Sequence, residues 1–362
     1  MISPARQIAF EVLSRVDAGG YASDLLLAHS AALDSRDAGL ASAIVFGCLR
    51  TQRQLDFLIG QHAAARLDPE VRIALRMGVY QLRYLERVPA HAAVGESVEL
   101  VKRAGKRSAA GLVNAVLRKM DRAPGGGCQS WPDRATELSL PPWLLERWDR
   151  RFGVETATMI AREFLKPAET HIAATGRIQD IGAQAVVPLL DLHPGESFLD
   201  LCAAPGNKTA QAIAAGADTV ACDLHWHRLK QLADLQCRRV VLNGTRPLPF
   251  RGTFDKILVD APCSGTGTLG RNPEIRWRLK PEDLPDLHAK QVALLRNAVV
   301  HLRPGGRLVY STCSLEDEEN CRVIETVPGD WEVTQRLPGR DPGDGFFLAV
   351  LRSPKGVPGS GK

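Results

Sequence analysis

From Gln179 to Arg352 short apolar runs alternate with segments of helical period, and this constrains the fold more than any other feature of the chain. Candidate strands are 197–201, 219–223, 239–242, 256–260, 307–312, 331–334 and 346–351, with helix-period stretches such as 209–214 and 287–302 between most of them. Strands that alternate with helices wind into a mostly parallel, Rossmann-like sheet covered on both faces, an α/β fold. The two runs beyond Leu315 are the place for an antiparallel closing strand. Ligands of such sheets bind beyond the carboxyl ends of the strands, so the residues just after each run are where chemistry is expected.

Residues 3–122 have a different period. Ile8, Val12, Leu13 and Val16 recur every three or four positions, and helical stretches follow over 38–59, 69–85, 92–103 and 109–120. Asp68-Pro69-Glu70 reads as an N-cap, a first-turn proline and a first-turn acid. Residues 1–122 are therefore expected to form an all-α domain. Pro124-Gly125-Gly126-Gly127 marks a flexible linker over 123–132. A small helical adapter is expected over 133–178, starting a helix at Pro141-Pro142, and the α/β domain over 179–352. Residues 353–362 read as a disordered tail.

No apolar run approaches the ~20 residues of a membrane span. The first ten residues lack the apolar core of a signal peptide, so a cytoplasmic protein is expected. None of the eight cysteines stands at Cys-x-x-Cys spacing and no Cys/His pair makes a zinc signature, so neither disulfide nor metal is expected. The net charge of +5 is confined to the N-terminal third: residues 1–122 hold 17 Lys/Arg against 12 Asp/Glu, and the remainder balances. Lys102, Arg103, Lys106, Arg107, Arg118 and Lys119 cluster there, as a phosphate-facing patch or as solvated helix faces.

The first strand runs into Asp200-Leu201-Cys202-Ala203-Ala204-Pro205-Gly206-Asn207-Lys208-Thr209. Small residues let a backbone turn pass close to a ligand at the N-terminus of the next helix. The dinucleotide fingerprint is absent, and a P-loop would need glycines where Cys202 and Asn207 stand. An S-adenosylmethionine loop remains. Asp223, closing the second strand, is placed to accept ribose hydroxyls, though it would serve NAD as well. Asp260-Ala261-Pro262-Cys263-Ser264-Gly265 follows the fourth run, and Ser311-Thr312-Cys313-Ser314 ends the fifth. Both strands should emerge on the carboxyl edge, so Cys263 and Cys313 can face one pocket with Asp260 beside them. A methyl donor, two thiols and an acid suit methylation of a pyrimidine at carbon 5: a thiolate adding to C6 makes C5 nucleophilic, and an acid at N3 stabilises the adduct.

Residues 75–89 (LRMGVYQLRYLERVP), 91–102 (HAAVGESVELVK) and 113–119 (VNAVLRK) resemble the NusB-type RNA-binding helical domain, with Gly95 where that family often has Asn. Residues 201–209, 260–265, 271–277 (RNPEIRW), 310–314 with Glu318-Glu319-Asn320, and 344–347 (DGFF) resemble the Sun/Fmu family of RNA 5-methylcytosine methyltransferases. Together they resemble its RsmB type, which acts on 16S rRNA.

The resemblance implies that Cys313 is the nucleophile, that Cys263 assists product release and that Asp260 holds the cytosine N3 edge. It implies a donor site for S-adenosylmethionine lined by Cys202, Ala203, Ala204, Pro205, Gly206, Lys208, Asp223, Asn243 and Asp260. RNA contacts are expected at Lys102, Arg103, Lys106 and Arg107, and at Arg271, Arg276 and Trp277, with core packing the competing reading for Trp277; Met77 and Tyr80 read as core. The protein is expected to be a monomer with RNA as its partner and no metal. Two residues depart from the family. Asn207 replaces a glycine, and asparagine tolerates positive φ; Asn243 replaces an aspartate, and its amide oxygen could still accept from the adenine amino group. The segment between Phe164 and Gln179 is short for the family. A transfer RNA or large-subunit rRNA substrate, or a non-catalytic RNA-binding role, are the alternatives.

Overall fold

The computed structural model describes residues 2–30, 33–63, 66–121 and 130–353. The expected linker, apart from 130–132, and the expected tail, apart from Ser353, lie outside the described residues. The chain divides into two compact units, one holding the residues up to Pro167 together with Leu269–Arg278, the other Ala168–Thr268 with the residues from Leu279. The helices after the linker therefore belong with the N-terminal unit, and the boundary falls at Pro167 instead of 178.

The first unit is helical among its described residues: α1 (Pro4–Asp17), α2 (Ala22–Ser30), α3 (Ser35–Arg50), α4 (Gln52–Gly60), α5 (Pro69–Tyr84), α6 (Ala90–Arg103), α7 (Ala110–Asp121), α8 (Arg134–Glu137), α9 (Pro142–Phe152) and α10 (Val154–Glu163). Apolar residues at helical spacing fill its core, among them Val12, Ile44, Leu55, Leu75, Met77 and Leu117. The single helix expected over 38–59 is broken at Thr51, whose amide and hydroxyl both turn back onto the Gly47 carbonyl. Gly47 is required there, because a Cβ would lie 1.9 Å from the Tyr80 ring. Glu96 joins α6 to the first turn of α1, accepting from Ser3 and pairing with Arg6 at 2.8 Å.

Residues Leu269–Arg278 complete this unit with a buried cation. Arg276 is fully buried and donates to the carbonyls of Arg50, Ser139, Phe164 and Leu269 at 3.0–3.2 Å. Trp277 Nε1 donates to the Leu49 carbonyl at 2.7 Å, and Glu274 Oε1 accepts from the Ala22 amide.

The second unit holds one seven-stranded sheet: β1 (Ser197–Asp200), β2 (Asp218–Asp223), β3 (Arg238–Val241), β4 (Phe254–Asp260), β5 (Leu302–Thr312), β6 (Trp331–Arg336) and β7 (Phe346–Arg352), in the order β3-β2-β1-β4-β5-β7-β6. The first five are parallel; β7 lies antiparallel between β5 and β6. β4 is buried almost throughout, as a strand covered on both faces must be. Its register with β5 sets Asp260 opposite Ser311. Every functional loop described below leaves the carboxyl end of a parallel strand.

Candidate active site

β1 ends in Asp200, which is buried and accepts from Thr209 Oγ1 at 2.7 Å through Oδ2. Its Oδ1 has no hydrogen-bond partner among the described residues. Burial pushes this carboxyl up to about 7. The loop that follows turns at Gly206, which has φ +101°, and a Cβ there would meet Leu232 at 2.6 Å. Both conditions demand glycine. Asn207 opens the helix Asn207–Ala214 and is not a positive-φ residue; the left-handed position belongs to Gly206, and the Asn207 amide donates to the Ile178 carbonyl at 3.0 Å. The departure at Asn207 is thus accommodated without the tolerance expected of it.

Asp223 at the end of β2 is buried, accepts from the His225 amide at 3.1 Å and lies 3.5 Å from Arg228. Arg228 also donates to the Ala204 carbonyl, which ties the first loop to the second. Asn243, two residues beyond β3, is exposed, and its Oδ1 accepts from both the amide and the hydroxyl of Thr245, at 3.0 and 2.7 Å. Two donors fill that oxygen, so the group Asn243 can offer a ligand is its NH₂. The acceptor role expected for this oxygen is corrected accordingly.

The chemical groups converge at β4 and β5. Asp260 Oδ2 is 2.6 Å from Lys208 Nζ, and its Oδ1 accepts from Ser311 Oγ at 2.8 Å. Burial pulls the Lys208 ammonium down, but the charge and hydrogen bond of Asp260 outweigh it and raise it above its ordinary range. Cys263 Sγ and Cys313 Sγ lie 3.3 Å apart. The hydrogen bond to Cys313, then burial, push the Cys263 thiol well above its usual value. Either sulfur can donate the proton they share.

The residues expected to meet RNA are scattered. Lys102, Arg103 and Arg107 line one cavity of about 380 Å³ with Ile2, Gln7 and Glu99, where Lys102 pairs with Glu99 at 2.6 Å and Arg103 donates to Gln7; Lys106 pairs with Asp68 at 2.9 Å. Arg271 is half-buried. Arg276 and Trp277 correct the expectation: the guanidinium is enclosed and directed at four carbonyls, and the indole N–H is taken by Leu49. An arginine next to a tryptophan reads equally well as a surface contact, and their long-range carbonyl partners leave no local mark in the sequence. Sequence reasoning also missed Ser264, Gln291, Ser314 and Glu319, which surround the thiols; the Glu318-Glu319-Asn320 motif was the available signal.

A parallel sheet closed by an antiparallel strand between its fifth and sixth, with a small-residue loop after β1 and an acid at the end of β2, defines the Rossmann-like S-adenosylmethionine-dependent methyltransferases. The donor fits what is present: a buried Asp200 oxygen without a hydrogen-bond partner among the described residues, at the end of the strand that runs into the small-residue loop. Residues 187–332 match the family model of the 16S rRNA methyltransferase RsmB/F, and residues 3–122 that of the NusB family. The ribosomal RNA small subunit methyltransferase B of Thermus thermophilus is 36% identical, over 96% of this chain and 97% of that protein. Its namesake from Erwinia tasmaniensis is 30% identical, over 96% and 98%. The crystal structure of PH0851 superposes with a TM-score of 0.78 at 21% identity, over 98% of this chain and 99% of that one. The chain belongs to the RsmB/F family of methyltransferases, carries a NusB-family domain and uses S-adenosylmethionine.

Proposed function

We propose that the protein methylates carbon 5 of a cytosine in 16S rRNA through a covalent bond between Cys313 and C6. The observation that carries this reading is the pair of sulfurs 3.3 Å apart, at the ends of the two strands that also deliver Asp260 and Ser311. Names shared by full-length relatives, each a ribosomal RNA small subunit methyltransferase B, support the substrate.

On this reading Asp200, Cys202, Ala203, Ala204, Pro205, Gly206, Asp223 and Asn243 hold S-adenosylmethionine, which supplies the methyl group as an electrophile. Cys313 adds to C6 as the thiolate. The Lys208–Asp260 pair faces the N3 edge, where a carboxylate fixed by an ammonium and a hydroxyl stabilises the proton that N3 gains. C5, made electron-rich by the addition, takes the methyl and then gives its proton to a water molecule acting as base; the Cys313–C6 bond breaks as the C5–C6 double bond reforms and N3 returns its proton. Cys263 keeps its proton near neutral pH and donates it to the departing sulfur. Lys102, Arg103 and Arg107 supply charge for the RNA backbone. The target must be unpaired or flipped out, because C5 and C6 are closed to a side-chain nucleophile within a stacked helix. The reading places the work in the cytoplasm.

A tritium-transfer assay on unmodified small-subunit rRNA tests this. Cys313→Ala should bind S-adenosylmethionine and transfer nothing, whereas Cys263→Ala should accumulate an RNA adduct that survives denaturing electrophoresis. Substantial turnover by Cys313→Ala would sink the assignment of the nucleophile.

A further inference from the structure

We propose that Glu319 is a positioning residue for methyl transfer: one buried carboxylate grips the residue after each thiol and so fixes the two sulfurs against each other. The proposal rests on the two-thiol reading above and adds to it a group that reading does not use.

Glu319 lies in the turn Asp317–Glu319 that follows β5 and is fully buried. Its Oε2 accepts from the hydroxyls of both Ser264 and Ser314, which are themselves 3.1 Å apart. Its Oε1 accepts from the Ser264 amide at 2.7 Å and from Gln291 Nε2 at 3.0 Å. Ser264 follows Cys263 and Ser314 follows Cys313, so a single side chain spans the two loops immediately beyond the sulfurs.

The neighbours extend the grip to the other side of each thiol. Gln291 also donates to the Pro262 carbonyl at 3.0 Å, so the backbone is held before and after Cys263. Asn320 accepts from Thr312 Oγ1 at 2.6 Å and donates to the Ser314 carbonyl at 3.0 Å, which brackets Cys313. Tyr310 donates to the Glu319 carbonyl at 2.7 Å and anchors the turn to β5. None of the four donors to the Glu319 carboxylate is a cation. A buried carboxylate without a counter-ion is costly, and apolar residues would fill the same space at less cost. What an apolar side chain cannot do is accept from two loops at once. A displacement of about 1 Å at a reacting group can cost up to about a hundredfold in rate, which is the advantage that offsets the buried charge.

Two readouts on the full-length protein test this. Glu319→Gln keeps the shape but puts an NH₂ where Oε2 accepts from both hydroxyls. Its kcat should fall by at least about tenfold, while KM for RNA and the calorimetric Kd for S-adenosylmethionine stay within about twofold. A merely structural residue would move binding and turnover together.

The second readout is independent of activity. The azo oxidant diamide, by taking up one hydrogen from each thiol, joins Cys263 and Cys313 as a disulfide, and mass spectrometry follows its rate. That rate should be high in the native protein and clearly lower in Glu319→Gln. Unchanged kcat together with an unchanged disulfide rate overturns the proposal. If Cys313→Ala keeps its turnover, the two-thiol reading fails instead, and the disulfide rate still decides whether Glu319 sets the geometry. Should Glu319→Gln lose S-adenosylmethionine binding through misfolding, the double variant Ser264→Ala/Ser314→Ala decides. It removes both hydroxyls and leaves Glu319 in place, and wild-type values for it refute the role.

Discussion

Replacing Asn243 by aspartate should tighten the binding of S-adenosylmethionine. In the native chain the side-chain oxygen is filled by the amide and hydroxyl of Thr245. The orientation is fixed, because a backbone N–H can only be answered by the oxygen end of the amide. Asn243 therefore presents a donor at the position from which, by family resemblance, the adenine amino group is read, and that group is itself a donor. Aspartate keeps both bonds to Thr245 on one oxygen and offers the second as an acceptor. A hydrogen bond at so exposed a position is worth about 1 kcal/mol, less than a buried charge-assisted one. That amounts to roughly fivefold in Kd. Titration calorimetry on both proteins measures it, and an analogue carrying a carbonyl in place of the adenine amino group should reverse the order. Looser binding of S-adenosylmethionine by Asn243→Asp, or no preference between the two ligands, would refute the reasoning.

Arg276→Met should cost the helical unit at least about 3 kcal/mol, because four buried carbonyls lose their donor; urea denaturation read by hydrogen exchange around Ser139 and Phe164 checks this, and a loss below about 1 kcal/mol contradicts it. Asp200 makes the ligand-free catalytic unit pH-sensitive. Burial raises its folded-state value to about 7 from 3.8, so its contribution is fully present below the unfolded value and is lost as pH rises through about 7. Denaturation midpoints should fall between pH 4 and 7, and Asp200→Asn should flatten that slope.

The strand ends were the most legible part of the sequence. A run of buried residues stops where its covering stops, and the side chains that follow must reach the carboxyl edge; Asp200, Asp223, Asp260 and Cys313 all lie there. That both ends emerge on one edge followed from the alternation; that they are neighbours comes from the sheet order, which brings Cys263 and Cys313 to 3.3 Å. What escaped were side chains whose partners are remote in sequence. Glu319 meets Ser264 and Gln291 only after the sheet has formed, and the motif Glu318-Glu319-Asn320 by itself does not name those partners. Arg276 looked like an RNA contact for the same reason, since nothing local says that a guanidinium will be enclosed by carbonyls. The break at Thr51 was hidden by an apolar period that continues through it. The direction of the Asn243 amide depended on a threonine two residues away, a local signal that was available.

The short segment Leu269–Arg278 decides how this protein can be taken apart. The helical unit is written in two separate pieces of sequence, and the second piece is made only after β4. A fragment cut at Pro167 would keep the carbonyls of Leu49, Arg50, Ser139 and Phe164 and the amide of Ala22, but would lose Glu274, Arg276 and Trp277, which answer them. During synthesis the same helices must wait, with those groups turned to water, while the first four strands leave the ribosome. The helical unit is therefore not a cassette that recombination could move as one uninterrupted length of sequence.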